Sequence, residues 1–216
     1  MTPTDWLFDR TGFPYLPVPA ARIAVALFPI TKAQTELWLA DATGPGDEWY
    51  EELLRFGPRV GWRTIGKFVP TQLVLTGLNP EEAGMFAAWL GTGYRLPTTA
   101  EWRAGDRAVS KLLVPQLLAL ANDSRTHPAA AGILKKLSDS GRRTAPSLGF
   151  WEGGVLEWVV RPTPPHGGLG RPTPDPAAPR LIGDPQSFDP VTLIRPGRLA
   201  AFGARLARPL ELEGEP

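Results

Sequence analysis

The stretch Gly91-Thr-Gly-Tyr-Arg-Leu-Pro-Thr-Thr-Ala-Glu-Trp102 carries the most specific structural information in this chain. Thr98 and Glu101 stand in the Ser/Thr-x-x-Glu spacing of a capping box, in which each side chain accepts a hydrogen bond from the other residue's backbone N–H. A helix is therefore predicted to begin after Thr98. Trp102 then lies one turn into that helix, where its large ring can pack between the helix and a sheet. This architecture accounts for the block without any catalytic role.

A strand followed by a helix is predicted near the start of the chain. Ile23–Phe28 is an apolar run typical of a buried strand, and Thr31 forms a second capping box with Gln34 just after it. The helical period predicts one buried face, formed by Ala33, Leu37 and Ala40.

A second helix is predicted immediately before the quoted stretch. Asn79 is a suitable N-cap, Pro80 occupies the first helical position, and Gly91 follows as a stop signal. Glu82 stands three residues after the cap, as in the other capping boxes. The apolar stripe of this helix is formed by Ala83, Phe86, Ala87 and Leu90.

Residues 107–147 contain two further helical patterns, which together predict a helical hairpin. The first opens at Pro115 and the second after Pro128. Their apolar positions are Leu117, Leu118 and Ala121, followed by Ile133, Leu134 and Leu137. Two interpretations are open for this hairpin: a feature that carries the particular function of this chain, or a lid that completes the core.

The second block, Leu148-Gly-Phe-Trp-Glu-Gly-Gly-Val-Leu-Glu-Trp158, ends in a β-rich segment. Val155–Val160 predicts a central strand, on which Glu157 lies on the face opposite Leu156 and Trp158. The closing stretches 191–194 and 202–206 are predicted to add strands to the sheet.

Residues 161–180 predict an exposed loop, because their seven prolines and three glycines cannot maintain a helix or a central strand. Arg-Pro-Thr-Pro occurs in it twice, at Arg161–Pro164 and Arg171–Pro174. Such segments populate the polyproline conformation that aromatic grooves recognise, but with only two copies a plain loop is the favoured interpretation.

In this order, blocks 91–102, 148–158 and 202–208 resemble the formylglycine-generating enzyme (sulfatase-modifying factor) family, whose members typically read R-L-P-T-E-A-E-W, G-N-V-W-E-W and G-F-R. The resemblance spans roughly residues 23 to 208. The match at 153–158 lacks the usual Asn and Trp, and Ala204 replaces the aromatic residue of G-F-R.

The resemblance implies an α+β, C-type-lectin-like fold over a single domain, residues 1–216, with a helical insertion at 107–147 and a Pro/Gly-rich loop at 161–180. A second full domain would be cramped at this length. The predicted structural core is formed by Trp89, Leu96, Trp102, Glu157, Trp158 and Arg205.

The composition bounds the chemistry of this chain. It has no cysteine, which excludes thiolate catalysis, thiolate metal sites and disulfides. Its 23 basic and 22 acidic residues nearly cancel, so neither nucleic acid nor an anionic membrane is indicated as a partner. No stretch reaches the length of a membrane helix and the first residues lack a signal-peptide pattern, so a cytoplasmic protein is expected.

The resemblance and the composition together predict a catalytically degenerate member of this family. Formylglycine-generating enzymes need a cysteine pair to bind copper, and the related sulfoxide synthases of thiol-histidine biosynthesis use three histidines, whereas this chain has only His127 and His166. A serine triad of Ser187, His166 and Asp184 has no supporting motif. No cofactor is predicted, although a structural calcium ion stays open. Its candidate ligands are Asp41, Asp47 and Asp184.

The function predicted from the sequence is a non-catalytic protein-binding or sensing module of a bacterial regulatory or phage-defence system. The alternatives are a variable protein of a diversity-generating retroelement, a metal-dependent oxidoreductase with an unrecognised site, and a carbohydrate-binding module. The partner is expected to be another protein, bound by the helical insertion and the Pro/Gly-rich loop. The predicted partner-binding residues are Trp151, Arg161 and Arg171.

Overall fold

The computed structural model describes residues 5–56, 74–138, 156–160, 180–182 and 202–210. These ranges contain β1 (Leu7–Phe8), β2 (Pro14–Val18), β3 (Ile23–Ala26), α1 (Lys32–Leu39), α2 (Asp47–Phe56), α3 (Pro80–Leu90), α4 (Thr99–Val109), α5 (Val114–Ala121), α6 (Pro128–Ser138), β4 (Leu156–Val159), β5 (Arg180–Ile182), β6 (Phe202–Ala204) and β7 (Ala207–Pro209). The predicted mixture of helices and strands is confirmed. None of the helices in these ranges is long and apolar enough to cross a membrane.

The larger sheet is antiparallel, has the strand order β1-β2-β3-β7, and curls into a half-barrel. Leu16 of β2 pairs with Val25 of β3, and Ile23 pairs with Pro209 of β7. All four residues of β3 are buried, as the apolar run predicted. The connection between β2 and β3 is a single 3₁₀ turn, Pro19–Ala21, which Arg22 ends in the left-handed region at a φ of 52°.

The smaller sheet has the order β5-β4-β6, in which β4 is antiparallel to β5 and parallel to β6. Residues 95–99 connect the two sheets. The backbones of Arg95 and Ala207 exchange hydrogen bonds of 2.9 and 2.8 Å, and Val160 N–H donates to the Pro97 carbonyl at 2.9 Å. The most specific sequence block is thus the segment where both sheets meet.

The three predicted capping boxes are present, at the N-termini of α1, α3 and α4. The predicted stripe of α3 is buried, but the predicted face of α1 is wrong. Its buried residues are Gln34, Thr35 and Trp38, whereas Leu37 is exposed. The polar residues turn inward because they have partners there: Gln34 donates to the Asp9 carboxylate at 3.0 Å and Thr35 to the Thr31 carbonyl at 3.0 Å.

Helices α5 and α6 form the predicted hairpin, and it completes the core. Leu117, Leu120, Ile133 and Leu134 are buried in the same apolar cluster as Leu16 and Val25 of the larger sheet. The predicted start at residue 107 falls inside α4, which continues to Val109. Leu118 was expected on the apolar face and is partly exposed instead. Of the two interpretations of this hairpin, the structure favours the lid that completes the core.

The turn between β1 and β2 is held against the hairpin by Gly12. Gly12 has a φ of 78°, and its carbonyl accepts a 2.8 Å hydrogen bond from the His127 N–H at the start of α6. A Cβ at this position would lie 2.8 Å from the Arg125 carbonyl oxygen. Both the backbone conformation and the space therefore require glycine.

Replacing Gly12 with alanine is expected to lower the free energy of unfolding by about 1–3 kcal/mol, because the left-handed conformation and the close carbonyl both penalise a Cβ. Gly84→Ala is the matched control: Gly84 lies within α3 and a Cβ there would meet nothing within 4 Å. This change is expected to stabilise by about 0.5–1 kcal/mol through helix propensity. Urea unfolding measures both, and equal effects would contradict this account of Gly12.

Candidate functional site

Three predicted core residues form a buried ionic centre between the two sheets. Arg205 and Glu157 make a bidentate pair, with Nε and Nη2 donating to the carboxylate oxygens at 2.8 Å each. The Trp102 indole N–H donates to the same carboxylate at 2.7 Å. The Arg205 and Glu157 residues are 0% and 1% exposed, so this centre offers no access to a substrate and holds the fold together.

The remaining predicted core residues differ in their surroundings. Trp158 is buried and donates its indole N–H to the Leu78 carbonyl at 2.7 Å, and Leu96 is also buried. Trp89 was predicted as a core residue but is only half-buried, with one part of its ring at the surface. It is held there by polar partners on both sides, Asp41 and Arg10.

Several predicted site residues lie outside the described residues. These are Trp151, Arg161 and Arg171 of the predicted partner surface, most of the Pro/Gly-rich loop, the expected strand at 191–194, and the residues Ser187, His166 and Asp184. Of the loop, only Arg180 is described, as the first residue of β5.

An aromatic cluster joins α1, α2 and α3. Trp38 of α1 is at its centre, with ring centroids 5.4 Å from Trp49, 5.5 Å from Phe86 and 6.4 Å from Trp89. Trp38 is 2% exposed, and within the described residues its indole N–H has no acceptor. The cluster makes these three helices one packed unit.

Three hydrogen bonds from aromatic side chains to carboxylates fasten the same unit. The first joins the Trp49 indole to Glu82 of α3 at 2.7 Å, and the second joins the Tyr50 hydroxyl to Glu36 of α1 at 3.2 Å. The third runs from the Trp89 indole to Asp41, just after α1, at 3.0 Å. These bonds join α2 to both α1 and α3, and they join α3 to Asp41, the residue that follows α1 closely.

The pKa values of two groups reflect these bonds. The Trp89 indole N–H, with further donors from the Thr43 backbone and hydroxyl, lowers the pKa of Asp41 to about 2. Burial, reinforced by the neighbouring Glu36 carboxylate, raises the pKa of Tyr50 to about 12. Both groups therefore keep one charge state across the neutral pH range.

Trp89 and its neighbours form a surface that we call the Trp89 face, comprising Arg10, Leu37, Asp41, Met85 and Trp89. The Arg10 guanidinium lies over the indole ring, 4.5 Å from its centroid, and donates to the Trp89 carbonyl at 2.9 Å. It also pairs with Asp41 at 3.1 Å, where the two side chains are 50% and 30% exposed. A half-buried tryptophan covered by an accessible arginine combines the two residue types most enriched at binding hot spots.

Two exposed apolar side chains border this ring. Leu37 lies in the last turn of α1 and is 41% exposed, and Met85 precedes Trp89 by one turn of α3 and is 50% exposed. Residues four apart lie on the same side of a helix, so Met85 lies on the same side of α3 as Trp89. Leu37 stands four residues before Asp41, which is bonded to Trp89.

The sequence analysis missed most of this unit. It predicted no helix at 47–56, although the acidic first turn of Asp47 and Glu48 is a recognised start signal. Trp38 and Trp49 were not identified at all. The available signal was the unusual number of tryptophans, eight in the whole chain, but their spacing does not show that they meet.

The candidate metal ligands do not converge in the described part of the chain. Within it there is no group of three or more His, Asp or Glu side chains that could hold a metal ion. The oxygens of Asp41, a candidate calcium ligand, accept hydrogen bonds from Trp89, Thr43 and Arg10. The ring of His127 stacks on Phe13 at 5.3 Å, and its Nδ1 accepts from Ala129 N–H in the first turn of α6.

A groove of about 380 Å³ lies between the N-terminal segment and the hairpin, and its lining includes Trp6, Asp123 and Arg125. Arg125 and Asp123 pair with each other at 2.7 Å, and the guanidinium lies over the Phe8 ring at 4.5 Å. Among the described residues, no exposed large apolar side chain lines this groove, whereas Leu37 and Met85 are exposed on the Trp89 face, so the groove is a weaker candidate.

Comparison of the chain with protein-family models and with characterised proteins gives no match.

Proposed function

We propose that this chain is a non-catalytic protein-binding or sensing module of a cytoplasmic bacterial regulatory or defence system. The observation that carries the proposal is the Trp89 face. It presents an aromatic ring, a guanidinium and two apolar side chains on a surface that the aromatic-to-carboxylate bonds hold in place. A rigid surface loses little conformational entropy on binding, so more of the contact energy is available as affinity.

The proposal includes a C-type-lectin-like fold of the formylglycine-generating enzyme type. It is supported by the order of the sequence blocks and by the position of residues 95–99 between the two sheets. Two residues that the resemblance places in the core, Glu157 and Arg205, pair with each other, so a structural role accounts for their presence without any chemistry. Without cysteine, the chain cannot supply the thiolate ligands of the family's copper site.

Capture of partners from cells of the source organism tests this function. A tagged chain is expected to retain a protein partner, and the purified chain is expected to contain no stoichiometric copper or iron by elemental analysis. The Pro/Gly-rich loop with Arg161 and Arg171, and Trp151 before it, stay predicted contacts. A chain in which residues 163–178 are replaced by a short Gly-Ser link tests the loop, since closure entropy changes slowly with loop length.

Stoichiometric copper or iron, together with oxygen consumption on a thiol substrate, would contradict the non-catalytic proposal and favour the oxidoreductase alternative. Equal recovery of the same partner by the intact and loop-deleted chains would remove the loop from the interface, and would leave the helical insertion and the Trp89 face as the surfaces to test.

A further inference from the structure

The helices around the Trp89 face carry mostly acidic side chains. Residues 32–56 and 80–90, which contain α1–α3, hold eight acidic residues and two basic ones, Lys32 and Arg55. The exposed carboxylates include Glu36, Asp47, Glu48 and Glu81. Arg10 pairs with Asp41, so Arg10, Lys32 and Arg55 together offset three of the eight negative charges and five remain.

The opposite charge is found at the hairpin. Lys111, Lys135 and Lys136 are exposed there, although the charges of the whole chain nearly cancel. The α1–α3 unit is therefore an acidic region of a nearly neutral chain, and it attracts cationic partners at distances up to a Debye length of about 8 Å in physiological salt.

Apolar side chains are exposed in the same region. Within the described residues five large apolar side chains are exposed, and three of them, Leu37, Leu54 and Met85, lie on α1, α2 and α3. The Trp38 indole N–H beneath them has no acceptor among the described residues. An acidic rim around exposed Leu and Met is the complement of a segment that is basic on one side and apolar on the other.

We propose that the Trp89 face and the acidic surface of α1–α3 bind a cationic amphipathic segment of a partner protein, an inference that rests on the proposed protein-binding function. Lysines or arginines of the segment pair with the exposed carboxylates, while its apolar residues contact Leu37, Met85 and Trp89. The same carboxylates repel nucleic acid and anionic membranes, so a protein segment is the occupant that fits the charge.

A designed probe tests the proposal without knowledge of the natural partner. The probe is a fluorescein-labelled amphipathic peptide with lysine and arginine on one side and leucine and tryptophan on the other, and fluorescence anisotropy measures its binding. One control peptide carries glutamate at the basic positions, and a second carries serine at the apolar positions. Only the first probe is expected to bind, and its Kd is expected to rise with salt.

Two variants of the chain locate the binding surface. Asp47→Asn/Glu48→Gln/Glu81→Gln removes exposed charges and is expected to raise the Kd about fivefold or more, with a weaker salt dependence. Leu37→Ser/Met85→Ser is expected to raise it about tenfold. The matched control is Leu113→Ser/Leu118→Ser on the hairpin side, whose side chains are 37% and 39% exposed, and it should bind as the unchanged chain does.

Absence of binding, or binding that both surface variants retain, would overturn the proposal. A partner captured from cells and retained by the surface variants would also overturn the inference, but it would leave the proposed protein-binding function intact. Failure to capture any partner from cells would instead count against the proposed protein-binding function.

Discussion

Changing Arg205 to methionine is expected to lower the free energy of unfolding by about 3–5 kcal/mol, because it leaves a buried carboxylate without its counter-ion. Glu157 is 1% exposed and has no water-facing side on which to keep its charge solvated. The substitution also removes the donors of the Ala26 and Leu27 carbonyls, which accept from Arg205 Nη1 at 3.0 and 2.6 Å. The loss therefore reaches the larger sheet as well as the ion pair.

Chemical denaturation of Arg205→Met beside Arg208→Met measures this effect. Arg208 is the matched control, because it is only part-buried and its contact with Tyr94 is a long hydrogen bond of 3.4 Å with the guanidinium 5.6 Å from the ring. Its loss is expected to cost about 1 kcal/mol or less. An Arg205→Met variant as stable as Arg208→Met would show that the buried pair does not hold the two sheets together.

The double variant Glu157→Leu/Arg205→Met separates the charge effect from packing. Replacing both partners removes the unpaired charge, so the combined loss is expected to be smaller than the sum of the single losses. It is not expected to reach zero, because the Trp102 indole and the Leu27 carbonyl would each lose a partner.

Local signals in the sequence were sufficient for the helix starts. A capping box is completed within four residues, so the N-termini of α1, α3 and α4 could be predicted without any knowledge of the tertiary structure. The apolar stripe of α3 was predictable for the same reason, since its period and its stop at Gly91 are both local.

Contacts between distant residues account for the failures. The inward face of α1 is set by Gln34, whose partner Asp9 is 25 residues away, and a hydrophobic period cannot anticipate a buried amide. Trp89 was predicted as a core residue, but its indole N–H and ring face have partners at the surface, Asp41 and Arg10. Tryptophan has an apolar ring and a polar N–H, so it is stable at the boundary between the core and the solvent.

The candidate site was less predictable than the fold. Its three fastening bonds join residues 14, 33 and 48 positions apart, and two of them depend on α2, which the sequence analysis did not predict. Arg10, Leu37 and Met85 of the Trp89 face stand in no sequence motif. Only the packing of Trp38 against three other rings brings the face together, and that packing is a property of the tertiary structure.

Truncation of Trp102 to alanine is expected to cost about 3–5 kcal/mol, because the indole is fully buried and its removal leaves a cavity beside Val159. The capping box of α4 fixes the helix start, and Trp102 packs from its first turn against the strand that carries Glu157. Its loss therefore separates α4 from the smaller sheet. A melting temperature within experimental error of the unchanged chain would contradict this placement.

Trp102→Phe separates the cost of the lost packing from the cost of the lost hydrogen bond to Glu157. Phenylalanine fills most of the ring volume but has no N–H, so the buried Glu157 oxygen loses one donor while Arg205 still pairs with it. The expected loss is about 1–3 kcal/mol, the range for a buried acceptor deprived of a partner. Trp89→Phe is the control, since it removes the same kind of bond, to Asp41, at the surface where water can replace it, and about 1 kcal/mol or less is expected. If the two phenylalanine variants unfold at the same denaturant concentration, the hydrogen bond from Trp102 to Glu157 does not stabilise the ionic centre, and the role of Trp102 is packing alone.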